Sequence, residues 1–241
     1  MTEFRPRGFF HIPPVIKNII IINVLVFLAQ QTLGPRIEQE MLNRFALHDV
    51  SSYFFAPHQL ITYLFLHGSW GHVLMNMFVL WMFGSILEDY WGPKRFLIFY
   101  VVCGIGAAVA QLTVQHMELA DIWREIHSLA LTDETRELLQ SPNVLYRDHA
   151  INAPTLGASG AVFGCMAAFG YLFPNNELLI IPIPFPIKAK WLVLGYAAIE
   201  LFAGIEPSQS DNVAHWAHLG GGLVGLLLVI YWNRSNRRNF Y

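Results

Sequence analysis

The sequence predicts an all-α membrane protein that crosses the bilayer several times. Of its 241 residues, 54% are hydrophobic and only 13% are charged, whereas a soluble domain carries about 25% charged residues. The mean hydropathy is +0.41, and the apolar residues form runs near the length that a bilayer requires, about 20 residues. We therefore expect one domain over residues 1–241, built as a polytopic bundle of transmembrane helices.

Six hydrophobic runs, some only with their flanks, have the length of a transmembrane helix. They cover residues 16–33, 71–90, 96–116, 156–173, 190–205 and 213–232. Two long outer segments, 34–70 and 117–154, separate the first run from the second and the third from the fourth. The second of these segments has an amphipathic spacing that predicts short helices lying on the outer surface.

The distribution of lysine and arginine predicts the orientation of the bundle. With both termini cytoplasmic, ten of these residues fall in inner segments and five in outer segments, as the positive-inside rule requires. The net charge of -2 gives no support for a nucleic-acid partner. Cys103 and Cys165 both lie in apolar runs, so we interpret them as small buried hydrophobic residues.

Polar side chains near the starts of three runs are the candidates for chemistry, since polar groups inside a membrane are costly and tend to be functional. Ser159 lies in the fourth run and His218 in the sixth. His72 and Asn76 are four residues apart in the second run, so they share one helix face. With the predicted orientation, all three runs enter from the outer side, and all four side chains lie about 2 to 8 Å below their helix starts.

Small residues predict that the fourth and sixth runs make close contact. Gly160 and Gly164 are spaced four apart, and the sixth run repeats this spacing, which lets helix backbones pack tightly. Such a contact would bring Ser159 to a histidine base, which a serine nucleophile needs, with His72 and Asn76 as donors to an oxyanion. The alternative is a set of buried interhelical hydrogen bonds, which are common in bundles.

Three motifs together resemble those of the rhomboid family of intramembrane serine proteases. They are His67-x4-His72-x3-Asn76, Gly157-Ala158-Ser159-Gly160 and Ala217-His218-Leu219-Gly220-Gly221-x3-Gly225. Their order, spacing and helix placement agree with the family over about residues 16–232. The resemblance implies a six-transmembrane-helix rhomboid bundle whose active site opens to the outer side and which cleaves transmembrane segments of membrane proteins.

The resemblance also implies roles for individual residues. Ser159 would be the nucleophile and His218 the general base, forming a dyad without an acid. His72, Asn76 and the backbone N–H of Ser159 would form the oxyanion hole. Supporting roles would fall to His67, Gly157 and Phe163.

These supporting roles differ in kind. His67 would help to fix the first outer segment, and Gly157 would let the backbone approach the site. Phe163 has the position of an aromatic residue that stacks on the catalytic imidazole in the family, with a core or lipid-facing ring as an equal alternative. Glu200, in the fifth run, would line the substrate gate, be wetted by the cavity or pair with a neighbour, and we interpret His215 as a histidine at the rim.

The implied partners are single-span transmembrane proteins and the lipid bilayer, with no cofactor and no metal. A compact six-helix core resembles bacterial members of the family, which implies a bacterial cytoplasmic (inner) membrane. Neither the client, the oligomeric state nor the role of segment 117–154 follows from the sequence.

Three other functions compete with a serine protease. A catalytically inactive relative that binds membrane clients is disfavoured because both Ser159 and His218 are present. A transporter is disfavoured because no repeat with broken helices is found in the two halves. A zinc protease would lack the usual His-Glu-x-x-His arrangement. Its ligands would have to be His67, His72, His215 and His218.

Overall fold

The computed structural model describes residues 11–128, 152–179, 185–206 and 213–237, which are helical apart from short connections and a two-stranded sheet. Strands β1 (Glu177–Leu178) and β2 (Ile187–Lys188) pair antiparallel. The helices, in chain order, are α1 (Pro14–Thr32), α2 (Pro35–Phe45), α3 (Gln59–Thr62), α4 (Trp70–Trp91), α5 (Pro93–Ser128), α6 (Ser159–Leu172), α7 (Ala189–Ile205) and α8 (His215–Arg237).

The helices confirm an all-α, multi-pass fold. By length and composition, four helices of the described chain can cross a membrane: α1, α4, the part of α5 from Pro93 to Met117, and α8 up to Arg234. Helix α6 is apolar but has 14 residues, so it is about 21 Å long, which is less than the hydrocarbon core of about 30 Å. The six predicted runs correspond to α1, α4, α5, α6, α7 and α8.

Helix α5 extends beyond the third predicted run. The membrane run was predicted to end at residue 116, next to the end of the membrane-crossing part of α5 at Met117, with short surface helices predicted in segment 117–154. Helix α5 instead continues without a break to Ser128, because residues 117–128 contain neither glycine nor proline to end it. Residues 129–151 of that segment lie outside the described residues.

The segment 34–70, predicted as an outer loop, contains α2 and α3 and packs onto the bundle. Leu47 and Thr155 exchange backbone hydrogen bonds of 2.9 and 2.8 Å. The hydroxyl of Tyr63 donates to the carbonyl oxygen of Gly104 in α5, at 2.7 Å. Because Thr155 comes just before α6, this segment fixes the chain where it enters that helix.

Helices α6 and α8 pack with their backbones in contact, as the small residues predict. A Cβ atom added to Gly225 would lie 2.7 Å from Cα of Gly164, and one added to Gly164 would lie 3.0 Å from the carbonyl oxygen of Gly221. Cys103 of α5 is buried against the same contact, and Cys165 is also buried. The absence of side chains on these faces therefore sets the distance between α6 and α8.

Candidate active site

Ser159 is the first residue of α6, and the chain before it is held in place by backbone contacts. The N–H of Gly157 donates to the carbonyl oxygen of Tyr63 at 2.9 Å. Gly157 has φ = 124°, a conformation that residues with a Cβ rarely adopt. The turn into α6 thus depends on glycine at this position and places the serine side chain at the end of the helix.

The structure brings Ser159 and His218 together. Ser159 Oγ lies 2.7 Å from His218 Nε2, although 59 positions separate the two residues in the chain. His218 is 9% exposed, so little water competes for this contact. A serine hydroxyl can donate to Nε2 only when the imidazole carries its proton on Nδ1, because a neutral ring has one donor and one acceptor nitrogen.

Phe163 covers one face of the His218 imidazole. The two rings are stacked with centroids 4.4 Å apart and an interplanar angle of 5°. Phe163 lies one helical turn after Ser159 on α6, so the same helix carries both side chains. Of the two interpretations that the sequence left open for Phe163, the ring geometry therefore favours the stacked one.

His72 lies beside the turn at Gly157. A Cβ atom added to Gly157 would lie 2.8 Å from His72 Nε2 and 3.7 Å from Ser159 Oγ, so both side chains border the same space. The N–H of Gly68 donates to His72 Nδ1 at 3.4 Å, and the hydroxyl of Ser69 caps α4 by accepting from the N–H of His72 at 3.1 Å. With Nδ1 acting as the acceptor, the proton of a neutral His72 lies on Nε2.

Two further donors are candidates for the same site. Asn76 lies one turn after His72 on α4 and is 6% exposed. The N–H of Ser159 belongs to the first turn of α6, where backbone donors have no partner within the helix. Helices α4 and α6, which carry these two groups, pack against each other.

His67 is buried behind His72 and is held through its backbone. The Gln30 side chain accepts from the N–H of His67 at 3.2 Å and donates to its carbonyl oxygen at 3.3 Å. The rings of His67 and His72 meet edge to face, with centroids 4.9 Å apart. Burial, followed by the neighbouring His72, lowers the pKa of His67 to about 3, so its imidazole is neutral at physiological pH.

Glu200 contacts His218, the predicted base, and this contact was not predicted from the sequence. Its Oε2 atom lies 2.9 Å from His218 Nδ1 and 2.6 Å from His215 Nδ1. Pairing with a neighbour was one of the expectations for Glu200, but His218 was not predicted to be that neighbour. A signal was available, because a carboxylate buried in an apolar helix requires a partner, and two histidines begin the next helix.

A zinc site of four histidines is not supported by the described part of the chain. The rings of His67 and His72 lie together. Among the described residues, the group whose metal-ligating atoms lie close together is Glu200, His215 and His218, with those atoms within 4.8 Å of one another. In the structure, both histidines of that group are hydrogen-bonded to the carboxylate. Among the described residues, the four histidines are therefore not the group whose ligand atoms lie close enough to hold one ion.

Comparison with known proteins identifies relatives of the chain. A family model described as "Rhomboid domain" matches residues 55–235. The chain is 27% identical over 246 residues to "Rhomboid protein 1, mitochondrial" of Saccharomyces cerevisiae, covering 95% of this chain and 59% of that protein. It is 28% identical over 217 residues to "Presenilin-associated rhomboid-like protein, mitochondrial" of Homo sapiens, covering 90% and 48%.

A third relative is "Rhomboid protease AarA" of Providencia stuartii, 26% identical over 175 residues, which covers 69% of this chain and 53% of that protein. The chain thus spans about half to three fifths of the length of these three relatives. Two of them are named mitochondrial, so the comparison does not support the predicted bacterial cytoplasmic membrane. Because the family model matches residues 55–235, three quarters of the sequence, this protein is a member of the rhomboid family.

Proposed function

We propose that this protein is an intramembrane serine endopeptidase in which Ser159 is the nucleophile and His218 is the general base. The observation that carries the proposal is the 2.7 Å contact between Ser159 Oγ and His218 Nε2. A neutral hydroxyl is a weak nucleophile until an adjacent base accepts its proton. The name of the relative from Providencia stuartii, a rhomboid protease, supports the same activity.

The first chemical step is attack of Ser159 Oγ on the carbonyl carbon of a peptide bond. The hydroxyl proton passes to His218 Nε2 as the new C–O bond forms, and the carbonyl oxygen becomes an oxyanion. His218 then gives this proton to the leaving nitrogen, and the C–N bond breaks to leave an acyl-enzyme. Water, activated by the same imidazole, hydrolyses the ester and returns the proton to Ser159.

The oxyanion is stabilised by donors from α4 and from the start of α6. His72 is suited to this role because its Nδ1 accepts from Gly68, which leaves Nε2–H to donate. Asn76 and the N–H of Ser159 are the other two donors. Such preorganised donors are the largest single term in many acyl-transfer enzymes, and removal of one typically costs about 10²- to 10³-fold in kcat.

The substrates of this reaction are transmembrane segments of single-span membrane proteins. The nucleophile lies at the start of an apolar helix, inside a bundle whose described residues include four membrane-crossing candidates. A segment must leave its helical conformation to expose a carbonyl carbon to Ser159, since helical carbonyl groups are hydrogen-bonded and shielded. We therefore expect cleavage near a span end that unwinds easily.

The site opens toward the outer side of the membrane, with both termini on the cytoplasmic side. The ten-to-five distribution of lysine and arginine supports this orientation. In intact cells, a single cysteine introduced at Asp133 should react with an impermeant thiol reagent, whereas one introduced at Asn236 should not. Labelling at Asn236 alone would reverse the orientation.

The experiment that tests the activity compares variants of the purified protein in liposomes. Ser159→Ala and His218→Ala should each abolish cleavage of a transmembrane substrate and labelling by a fluorophosphonate, and the double variant should be no worse. Asn76→Ala and His72→Ala should retain about 0.1 to 1% of the rate. Ser51→Ala, at an exposed serine, is the matched control and should cleave normally.

A melting temperature equal to that of the wild-type protein shows that a variant is folded. Full activity in Ser159→Ala would exclude the serine mechanism. A folded wild-type protein that neither cleaves nor labels, yet retains membrane clients, would favour the inactive, client-binding alternative.

A further inference from the structure

Glu200 is placed where it can act on the reaction through His218. Helix α7 is mostly exposed, and Ala189 and Glu200 are its buried residues. The Glu200 side chain is 10% exposed, and one of its oxygens, Oε2, lies 2.9 Å from His218 Nδ1 and 2.6 Å from His215 Nδ1. One carboxylate oxygen therefore faces two imidazole nitrogens.

We propose that Glu200 is a positioning residue for His218 and converts the predicted serine–histidine dyad into a serine–histidine–glutamate triad. This inference rests on the proposed function. An acceptor at Nδ1 favours the tautomer with its proton on Nδ1, which is the form whose Nε2 can accept from Ser159. A carboxylate in this position selects the reactive tautomer and holds the ring toward the nucleophile.

The stacking partner of His218 cannot do this alone. Phe163 lies parallel to the imidazole at 4.4 Å, which fixes the plane of the ring. Two orientations of the imidazole, related by a 180° rotation about its Cβ–Cγ bond, share that plane. Turning the ring by 180° would exchange Nδ1 with a carbon and move Nε2 away from the hydroxyl. The hydrogen bond to Glu200 distinguishes the two orientations, because a carbon atom cannot replace the Nδ1–H donor.

Glu200 also acts during the reaction, when positive charge develops on the His218 imidazole. When the proton moves from Ser159 to Nε2, His218 becomes an imidazolium ion and carries a full positive charge. The adjacent carboxylate stabilises this ion without taking its proton. The effect is large here because the contact is buried, and charges interact more strongly away from water.

His215 completes the arrangement from the preceding turn of α8. It lies three residues before His218, so both side chains project from one face of the helix. Donation by His215 Nδ1 to the same Oε2 atom holds the carboxylate in the rotamer that reaches His218. The alternative is that Glu200 only tethers α7 to α8, which predicts an effect on stability and none on the state of His218.

Glu200→Gln, which keeps the size of the side chain and removes its charge, separates the two roles. We expect kcat for the transmembrane substrate and the rate of fluorophosphonate labelling both to fall by at least about tenfold, with little change in KM. An asparagine in place of a triad aspartate costs about 10⁴-fold in a soluble serine protease, which is the upper limit. Glu206→Gln, the same change at an exposed position of the chain, should react like the wild type.

Glu200→Asp tests rescue by charge, because it restores the carboxylate on a side chain one methylene shorter. It should recover part of the rate that Glu200→Gln loses. A protein with Glu200→Gln that melts lower but labels at the wild-type rate would show that Glu200 is only a tether.

The proton on His218 can also be observed without altering Glu200. In ¹⁵N-histidine-labelled protein, assigned by the signals lost in His218→Gln, His218 of the wild type should show the Nδ1–H tautomer with a low-field proton. An Nε2–H tautomer in the wild type would overturn the proposal even if every Glu200 variant fails to fold. The proposed function fails separately, if Ser159→Ala still cleaves or the wild type does not label.

Discussion

The backbone of Gly221 in α8 lies directly against the carbonyl oxygen of Gly160 in α6, with no room for a side chain between them. This contact sets the geometry of the site, because Gly160 follows Ser159 and Gly221 lies one turn after His218. The two helices can approach this closely because neither residue has a Cβ. The distance between Ser159 and His218 therefore depends on two residues outside the proposed dyad.

We expect Gly221→Ala to weaken both the fold and the site. Its methyl group would meet the Gly160 backbone, which cannot shift as a flexible side chain can, and overpacking of this kind typically costs about 1 to 3 kcal/mol. The measurements are the melting temperature in detergent and the rate of fluorophosphonate labelling. Gly195→Ala is the control, since nothing lies within 4 Å of a Cβ at Gly195. Equal melting and labelling in the two variants would contradict the close-contact argument.

Gly157→Ala should remove activity more than stability. The backbone there has φ = 124°, and the new methyl group would lie 2.8 Å from the ring of His72. Holding a non-glycine residue in such a conformation costs on the order of 1 to 3 kcal/mol, and the clash displaces a proposed oxyanion donor. We expect cleavage to fall at least about 100-fold, as for loss of one donor. The control is Gly71→Ala, where nothing lies within 4 Å of the added Cβ. If this variant lost as much activity, the effect would not be specific to Gly157.

Much of the fold could be predicted because it depends on local patterns. Apolar runs of the right length located α1, α4, α6, α7 and α8, and the small residues of two runs predicted their contact. Contacts between residues that are far apart in the chain give a weaker pattern in the sequence. Glu88, for example, accepts hydrogen bonds of 2.9 Å from the N–H groups of Val15 and Ile16 and so caps α1 from another helix.

The candidate site shows the same difference between local sequence patterns, which could be predicted, and contacts between distant residues, which could not. Motif spacing placed Ser159, His218 and His72 in one region, because each motif lies at a helix start on the same side of the bundle. The partner of His218 at Nδ1 depends instead on how α7 is rotated about its axis. Helix α7 is largely exposed, and with apolar residues around most of its circumference its sequence did not show which face points inward.

The stability of the protein should fall as the pH is lowered from 6.5 to 5. The pKa of folded His67 is about 3, lowered first by burial, whereas the unfolded chain takes up this proton near pH 6.5. The unfolded state therefore binds more protons in this window. The free energy of unfolding falls by up to about 1.4 kcal/mol per pH unit, or about 2 kcal/mol in all. Burial also lowers the pKa of His48, which adds to the effect in the same direction.

Melting temperatures measured across this pH range test the assignment. His67→Gln should reduce the pH dependence, since glutamine does not titrate, and His58→Gln, at an exposed histidine, serves as the control for loss of an imidazole. A pH dependence left unchanged by His67→Gln would show that His67 is already protonated in the folded protein or contributes nothing.

A chelator should leave the proteolytic rate unchanged, although Glu200, His215 and His218 hold ligand atoms within 4.8 Å of one another. Zinc would bind deprotonated nitrogen at about 2.0 to 2.1 Å, and so would displace the Nδ1 proton that His218 shares with Glu200. Metal binding at this cluster would therefore inhibit the reaction. The measurement is the initial rate with EDTA and with added zinc, using wild type and His215→Gln. We expect no loss with EDTA, and inhibition by zinc that weakens in His215→Gln, which lacks one ligand. Activity lost on chelation and restored by zinc would contradict the serine mechanism and favour a metalloprotease.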